Sequence, residues 1–292
     1  MSPTLRGMAW MMLSGLLFIC LNTILRGLAM EMNALEVQTL RYVFGGLVIF
    51  PLVIGSGKRA WMPVSGVKGQ MARGLVHASS LMVWFIALPH ITLAETTAIG
   101  FTSPIFVMIG AVIFLHEKMI WDRWLAAALG FAGVLVVVGG GISGGSGYYS
   151  LIMLSSSPLL AGSYLITKAL TKHDRAEVIV LWQSITVAGF TLPFALFAWI
   201  WPTPTEWLML VVCGVLGSAG HYSLTRAFVV ADISATQPAK FFDMVWSSAM
   251  GWLVFSDIPS RETLIGAAII LAVTTWLARR ERNIRMRGMQ RA

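Results

Sequence analysis

The chain has 292 residues, 57% of them hydrophobic and only 12% charged, with a net charge of +8 at neutral pH. Soluble domains carry about 25% charged residues, and a chain this apolar lacks the polar groups to cover a water-facing surface. A soluble enzyme or nucleic-acid-binding domain is therefore excluded unless the charge is segregated, and the apolar residues fall instead into long continuous runs.

Ten such runs follow one another, each near the roughly 20 residues a helix needs to cross a hydrocarbon core of about 30 Å. The first, Met8–Ala29, contains Asn22 and Arg26 and is not expected to be a cleaved signal, being too long and lacking a clean small-x-small site. The second, Leu35–Gly55, carries Glu36 and Arg41 near its start and ends at the break Gly55–Lys58. The third, Met71–Pro89, holds His77 and Trp84; the fourth, Ala94–Leu115, holds Phe101 and Pro104 and is followed by Glu117. The fifth, Trp121–Gly140, runs into the linker Gly139–Gly147. The sixth, Tyr148–Leu170, contains Ser155–Ser157, Pro158, Ser163 and Tyr164. The seventh, Val178–Trp201, stops at Pro202–Thr205, and the eighth, Trp207–Val230, holds His221 and Tyr222. The ninth, Ile233–Phe255, contains Pro238, Lys240, Asp243 and Trp246; the tenth, Arg261–Ala278, leads into a basic tail.

Runs this continuous must be helices, because backbone groups inside lipid find no water, and the short alternating strands of a barrel are absent from the sequence. Cys20 and Cys213 lie inside runs and read as packed thiols, not a disulfide framework. No zinc-protease, nucleophile-elbow, Walker A or Cys/His metal pattern occurs, and the glycine-rich linker lacks the Lys-Ser/Thr of a phosphate loop. Neither an enzyme nor a cofactor or metal is expected.

Charge gives direction. Sixteen of the 21 Lys and Arg residues fall on the side of the N-terminus: Arg6; Lys58, Arg59, Lys68 and Arg73; Lys118 and Arg123; Lys168, Lys172 and Arg175; and six arginines from Arg279 to Arg291. Only Arg261 falls in an opposite loop. This positive-inside pattern puts both termini in the cytoplasm and predicts a multi-pass protein of the inner (plasma) membrane. The charge is thereby assigned to the membrane surface, with the basic tail near anionic lipid and no nucleic-acid partner. Tryptophans such as Trp61, Trp121, Trp201 and Trp207 fall near run ends, where indoles favour the interface; Trp84, Trp182 and Trp246 lie deeper.

The halves repeat. A shift of 140 residues brings Gly74 to Gly214, Ala87 to Ala227, Thr96 to Thr236, Phe101 to Phe241, and Glu117 to Asp257. Five runs per half is an odd number, so the second half enters from the other side. The expected fold is all-α: ten transmembrane helices as two inverted five-helix repeats around a central cavity, residues 1–142 and 143–280, with a tail over 281–292. Inverted repeats are the architecture of secondary transporters, with substrate near mid-membrane.

The stretch Ala87–Glu117 (ALPHITLAETTAIGFTSPIFVMIGAVIFLHE) and its partner Ala227–Asp257 (AFVVADISATQPAKFFDMVWSSAMGWLVFSD), with the basic loop after the second run, resemble the drug/metabolite transporter superfamily of EamA type. The resemblance covers nearly the whole chain and extends to YddG-like aromatic amino-acid exporters. It implies a basket of ten helices in which the first, third, fourth, sixth, eighth and ninth line the cavity and the fifth and tenth are peripheral. Asp257 replaces the usual Glu and Met244 stands opposite Pro104, departures that do not damage a transporter.

Polar groups in a span usually face the bundle interior. Asn22 continues a stripe with Ser14, Phe18 and Arg26; His77, Ser80 and Trp84 share a face; Ser218, His221 and Thr225 share another beside Tyr222; Lys240, Asp243 and Ser247 form a third beside Trp246. With Phe101 and Tyr164 these give a candidate substrate site of Asn22, His77, Trp84, Phe101, Tyr164, His221, Tyr222, Lys240, Asp243 and Trp246. Each has a plainer reading: Ser and Asn as interhelical glue, the histidines and tryptophans as packing, Lys240 as a snorkelling cation or a simple i,i+3 ion pair with Asp243, and Asp243 as a proton-coupling group. Aromatic rings beside one cation and one carboxylate suit a zwitterionic, partly aromatic small molecule. The function expected is a secondary transporter exporting aromatic or apolar amino acids by alternating access, with the bilayer as its only other partner and a monomer plausible. The alternative is an uptake carrier for riboflavin, another vitamin or a nucleoside; a channel lacks its polar lining, and a membrane enzyme lacks a nucleophile at suitable spacing.

The orientation is directly testable. A cysteine at Ser143→Cys is expected to react with an impermeant thiol reagent applied to intact cells from the periplasmic side, and one at Gly288→Cys to remain unlabelled; the opposite pattern inverts the topology.

Overall fold

A computed structural model describes residues 2–55, 61–87, 90, 99–138, 147–255 and 261–289. Outside them lie Lys58 and Arg59, the start of the fourth run with Thr96, most of the Gly139–Gly147 linker, Asp257 and the last residues of the tail, together with the side chain of Arg26. The described residues form helices α1 (Pro3–Glu31), α2 (Ala34–Ile54), α3 (Val67–Ala87), α4 (Ser103–Leu115), α5 (Trp121–Val138), α6 (Gly147–Leu170), α7 (Ala176–Ala195), α8 (Pro204–Val230), α9 (Ile233–Lys240), α10 (Asp243–Phe255) and α11 (Arg261–Met289). Among them Pro3–Leu25, Ala34–Ile54, Tyr148–Leu170, Ala176–Ala198 and Pro204–Val230 are long and apolar enough to cross a bilayer, and Ser103–Leu115 is a shorter apolar helix.

Helix starts follow the sequence. Ser2 accepts the Leu5 amide at 3.1 Å and Pro3 occupies the first turn; Asn33 accepts from Leu35 at 2.9 Å. At α8, Thr203 and Glu206 form a reciprocal capping box around Pro204, which satisfies two of the amides a helix start leaves free. The ninth run departs from expectation. It is not one helix but two, α9 and α10, separated by a turn at Phe241 and Phe242 just after Pro238. In the first half a turn at Phe101–Thr102 likewise precedes α4, with Pro104 in the first helical turn. Proline removes one amide from the ladder, and both turns fall at the residues that the 140-residue shift superposes.

The long helices pair as α1 with α8, α2 with α7, α3 with α6 and α5 with α11. In lipid this packing gains little from the hydrophobic effect and relies on close backbone approach and interhelical hydrogen bonds. Ser14 donates to the Gly220 carbonyl (2.8 Å), Ser218 to that of Gly45 (2.8 Å) and Ser80 to that of Ser156 (2.8 Å), while Thr39 and Thr191 share a bond of 2.8 Å. Gly214 sits against the Phe44–Gly45 backbone, where an added Cβ would come within 2.5 Å of the Phe44 Cβ and 2.8 Å of the Gly45 nitrogen.

Three side chains hold the α8–α9 turn: Glu117 and Arg123 from the first 142 residues and Lys168 from α6. Glu117 accepts the amides of Ile233 (2.8 Å) and Ser234 (3.1 Å), capping α9. Lys168 donates to the carbonyls of Phe228 and Ala231 (both 2.6 Å) at the end of α8, and Arg123 pairs with Asp232 at 3.1 Å. Asp174 makes a similar clasp, accepting from Val64, Ser65 and Gln70. Arg73, counted above among the cations on the side of the N-terminus, is buried in α3, which begins at Val67 and carries it inside.

Gly214→Ala is expected to force α2 and α8 apart and lower stability by about 1–3 kcal/mol, the usual cost of overpacking. Gly189, with open space around it, should accept alanine without loss; thermal unfolding of the two purified variants gives the comparison.

Candidate functional site

The turn between α9 and α10 sets the site. α9 ends on Lys240, the Phe242 amide donates to the Ala239 carbonyl and the Met244 amide to the Phe241 carbonyl (both 3.1 Å), and α10 opens on Asp243. Lys240 Nζ and Asp243 Oδ2 are 2.5 Å apart, a charge-assisted contact between two buried groups. The second carboxylate oxygen, Oδ1, has no hydrogen-bond partner. Gly15 of α1 lies directly against it, and any Cβ there would collide with Oδ1. The lysine also lies 5.5 Å from the centre of the Phe18 ring, within cation–π range.

Lys240 and Asp243 line a cavity of about 210 Å³ together with Phe101, Ser103, Pro104, Leu160, Tyr164 and Gln237. That is smaller than the 300–1,000 Å³ common for ligand pockets. Phe101 stacks on Phe241 with ring centres 5.9 Å apart and planes 21° from parallel, so the two turn residues meet at the cavity edge. Tyr164 packs edge-on to Phe228 at 5.9 Å.

A second cluster lies nearby and is buried. The Tyr42 hydroxyl stands 3.0 Å from His77 Nε2 and 3.2 Å from His221 Nε2. Ser163 is 3.4 Å from His77 Nδ1, and Gln183 Nε2 is 3.4 Å from His221 Nε2. Arg73 orders these groups: its Nη2 donates to Gln183 Oε1 at 2.6 Å, Nη1 to the Ile179 carbonyl at 2.9 Å, and Nε to Thr167. A guanidinium only donates, so the Gln183 oxygen faces Arg73 and its amide hydrogens face His221. His221 Nε2 is then an acceptor, its single lone pair facing both the Gln183 amide and the Tyr42 hydroxyl. The bonds from Tyr42 through His77 to Ser163 can run in either sense. This leaves His221 Nδ1 carrying a proton with no hydrogen-bond partner, beside the Phe18 ring at 4.9 Å and 72°. Phe18 thus bridges His221 and Lys240.

Of the residues singled out in the sequence, Phe101, Tyr164, Lys240 and Asp243 come together in one cavity, and His77 and His221 come together through Tyr42. The other four lie apart from both groups. Asn22 is exposed on α1. Trp84 is partly buried and packs edge-on to Phe85 at 5.1 Å. Tyr222 packs on Trp10 at 6.3 Å and on the Ile49–Val178 cluster. Trp246 donates its indole N–H to the Met12 carbonyl at 3.1 Å and stacks edge-on to Phe242. Sequence reasoning missed Tyr42, Arg73, Gln183, Gln237 and Gly15. Arg73 offered a signal as an arginine just inside a run; Gly15 offered none, since its role exists only opposite Asp243.

The sequence pattern of the EamA-like transporter family matches the chain twice, over residues 5–139 and 147–279. An S-adenosylmethionine uptake transporter of Rickettsia prowazekii is 27% identical over 280 residues, covering 96% of this chain and 94% of that protein. A riboflavin transporter of Vibrio cholerae is 28% identical over 291 residues (96% and 97%), and a pseudopaline exporter of Pseudomonas aeruginosa is 24% identical over 279 residues (95% and 97%). A solved crystal structure, 19% identical, shares the fold with a TM-score of 0.79 over 95% of this chain and 98% of that one. With family matches that take in nearly the whole length of an all-helical, membrane-spanning chain, the protein belongs to the EamA-like transporter family and is a multi-pass membrane transporter of small metabolites, not an enzyme.

Proposed function

We propose that the chain is a secondary carrier for a zwitterionic metabolite, one with an amino-acid head group and a flat or apolar side chain, moved by alternating access. The observation that carries this reading is the Lys240–Asp243 pair on the wall of a cavity whose other walls include Phe101 and Tyr164. A cation and a carboxylate held 2.5 Å apart neutralise each other while the cavity is empty. A zwitterion can insert between them, its carboxylate taking the lysine and its ammonium taking Asp243 Oδ2 in place of the lysine. The rings then supply stacking surface. Tyr42, His77 and His221 act from behind, fixing Phe18 and through it the lysine.

Ten spans in two inverted repeats remain our reading of the architecture, with units 1–142 and 143–280. The double family match, the pairing of α1 with α8 and of α3 with α6, and the matching turns at Phe101 and Phe241 support it. We place the protein in the inner membrane with cytoplasmic termini on the Lys/Arg distribution. For direction we favour export of amino acids, aromatic or apolar; among the relatives one is named an exporter and one an uptake transporter, so flux must be read both ways. A second reading, a carrier for riboflavin or a similar planar metabolite, draws on the stacked Phe101–Phe241 pair alone.

Proteoliposome flux separates the readings. Phenylalanine, alanine, S-adenosylmethionine and riboflavin are supplied on either side, and Lys240→Met and Asp243→Asn are compared with the parent protein. The zwitterion reading requires losses above about tenfold for amino-acid substrates in both variants, and Phe101→Ala should weaken phenylalanine about fivefold more than alanine, the size of one ring contact. Riboflavin flux that ignores both charge variants would instead establish the planar-ring reading.

Gly15→Ala is expected to displace the Asp243 carboxylate and abolish the same flux in a protein that still folds, whereas Gly27→Ala, with open space at its Cβ, should transport normally. Equal activity of the two would remove the aspartate from the site.

A further inference from the structure

The largest cavity among those described does not touch Lys240 or Asp243. It is an apolar groove of about 410 Å³ between α1 and α11, closed behind by Phe242. One wall is the α1 stripe Leu5, Met8, Ala9 and Met12; the other is Thr274, Thr275, Ala278 and Arg279 of α11. The groove exists because α11 packs along α5 and touches α1 only sparsely. Its polar content is small: Thr274 turns its hydroxyl back to the Ile270 carbonyl at 2.7 Å, leaving its methyl for the wall. The stripe from Leu5 to Met12 runs about 10 Å along the helix axis at 1.5 Å per residue.

Charge is confined to one end. Arg279 lies level with the start of α1, at the end of the bundle that carries both chain termini, and is exposed. Its neighbour Arg280 is held at 2.9 Å by Asp122, whereas Arg279 has no ion pair among the described residues. Arg6, next after Leu5, is also exposed. An apolar groove between α1 and α11 that ends in an exposed guanidinium with no ion pair among the described residues matches an acyl chain with an anionic head group. Arginine holds a phosphate oxygen pair through its planar fork.

We propose that this groove is a binding site for one anionic phospholipid of the leaflet on the termini side, its acyl chain lying against Met8, Met12 and Phe242 and its phosphate on Arg279. Phe242 gives the site its reach. It belongs to the two-residue turn between Lys240 and Asp243, so one face of that turn meets the acyl chain and the other carries the charged pair. Lipid occupancy supports the turn from behind and links bilayer composition to the geometry of the pair. This proposal uses only the membrane reading and is independent of which metabolite is carried.

The test uses the full chain in detergent and nanodiscs. Native mass spectrometry counts retained phosphatidylglycerol against phosphatidylcholine for the parent, for Arg279→Gln and for Ala9→Trp, which fills the groove. The parent should retain one phosphatidylglycerol in preference, Arg279→Gln should lower that preference about fivefold, the scale of one basic contact to an anionic lipid surface, and Ala9→Trp should exclude the lipid. Arg279 is exposed, so its variant folds even if Ala9→Trp does not. Equal retention of both lipids by the parent, or a preference unchanged in Arg279→Gln, would mean annular lipid only and overturn the site. Because lipid retention is read without substrate, its failure and the failure of the zwitterion reading show up separately.

Discussion

Placing a carboxylate and an ammonium among apolar helices costs several kcal/mol per ion unless each is answered at close range. The rest of the site is arranged around that demand. Lys240 ends α9 and Asp243 opens α10, so the pair bridges the two-residue turn between the helices. Pro238 weakens the ladder just before the turn, and Phe241 and Phe242 fill the space on its two sides, one against Phe101 and one toward α1. Gly15 completes the enclosure by letting α1 approach the carboxylate without a side chain between them.

The neighbouring cluster follows different physics. Arg73 is buried with only neutral partners in view, Thr167, Ile179 and Gln183, so its charge is spread over three hydrogen bonds. Its effect is directional. By claiming the Gln183 oxygen it turns the Gln183 amide toward His221, and a hydrogen-bonded network held at one end by a fixed charge is stiffer than one that is free to rotate. That stiffness is transmitted by contact: His221 to Phe18, and Phe18 to the lysine.

Much of this was legible in the sequence. Continuous apolar runs gave the helical class, and the shift that superposes Phe101 on Phe241 pointed at two residues that stack on each other. Lys240 and Asp243 stood out because charge in a span is rare. What was not legible depends on relations between distant helices. Gly15 carries no mark of its role, Tyr42 looks like any interior tyrosine on a helix expected to lie away from the cavity, and Arg73, two residues inside the third run, was counted only for its charge because the partners that bury it lie on α6 and α7. Trp246 donates its indole N–H to the Met12 carbonyl of α1, a contact between distant helices that no spacing along α10 announces.

The α8–α9 turn has a consequence for motion. Glu117 holds the amide end of one helix, Lys168 the carbonyl end of the other, and Arg123 the aspartate between them. The anchors come from α5, from α6 and from the segment between α4 and α5, and together they engage Phe228, Ala231, Asp232, Ile233 and Ser234. Displacing this turn relative to α5 and α6 must therefore break several contacts at once, and every amide and carbonyl released inside the bundle then needs a new partner.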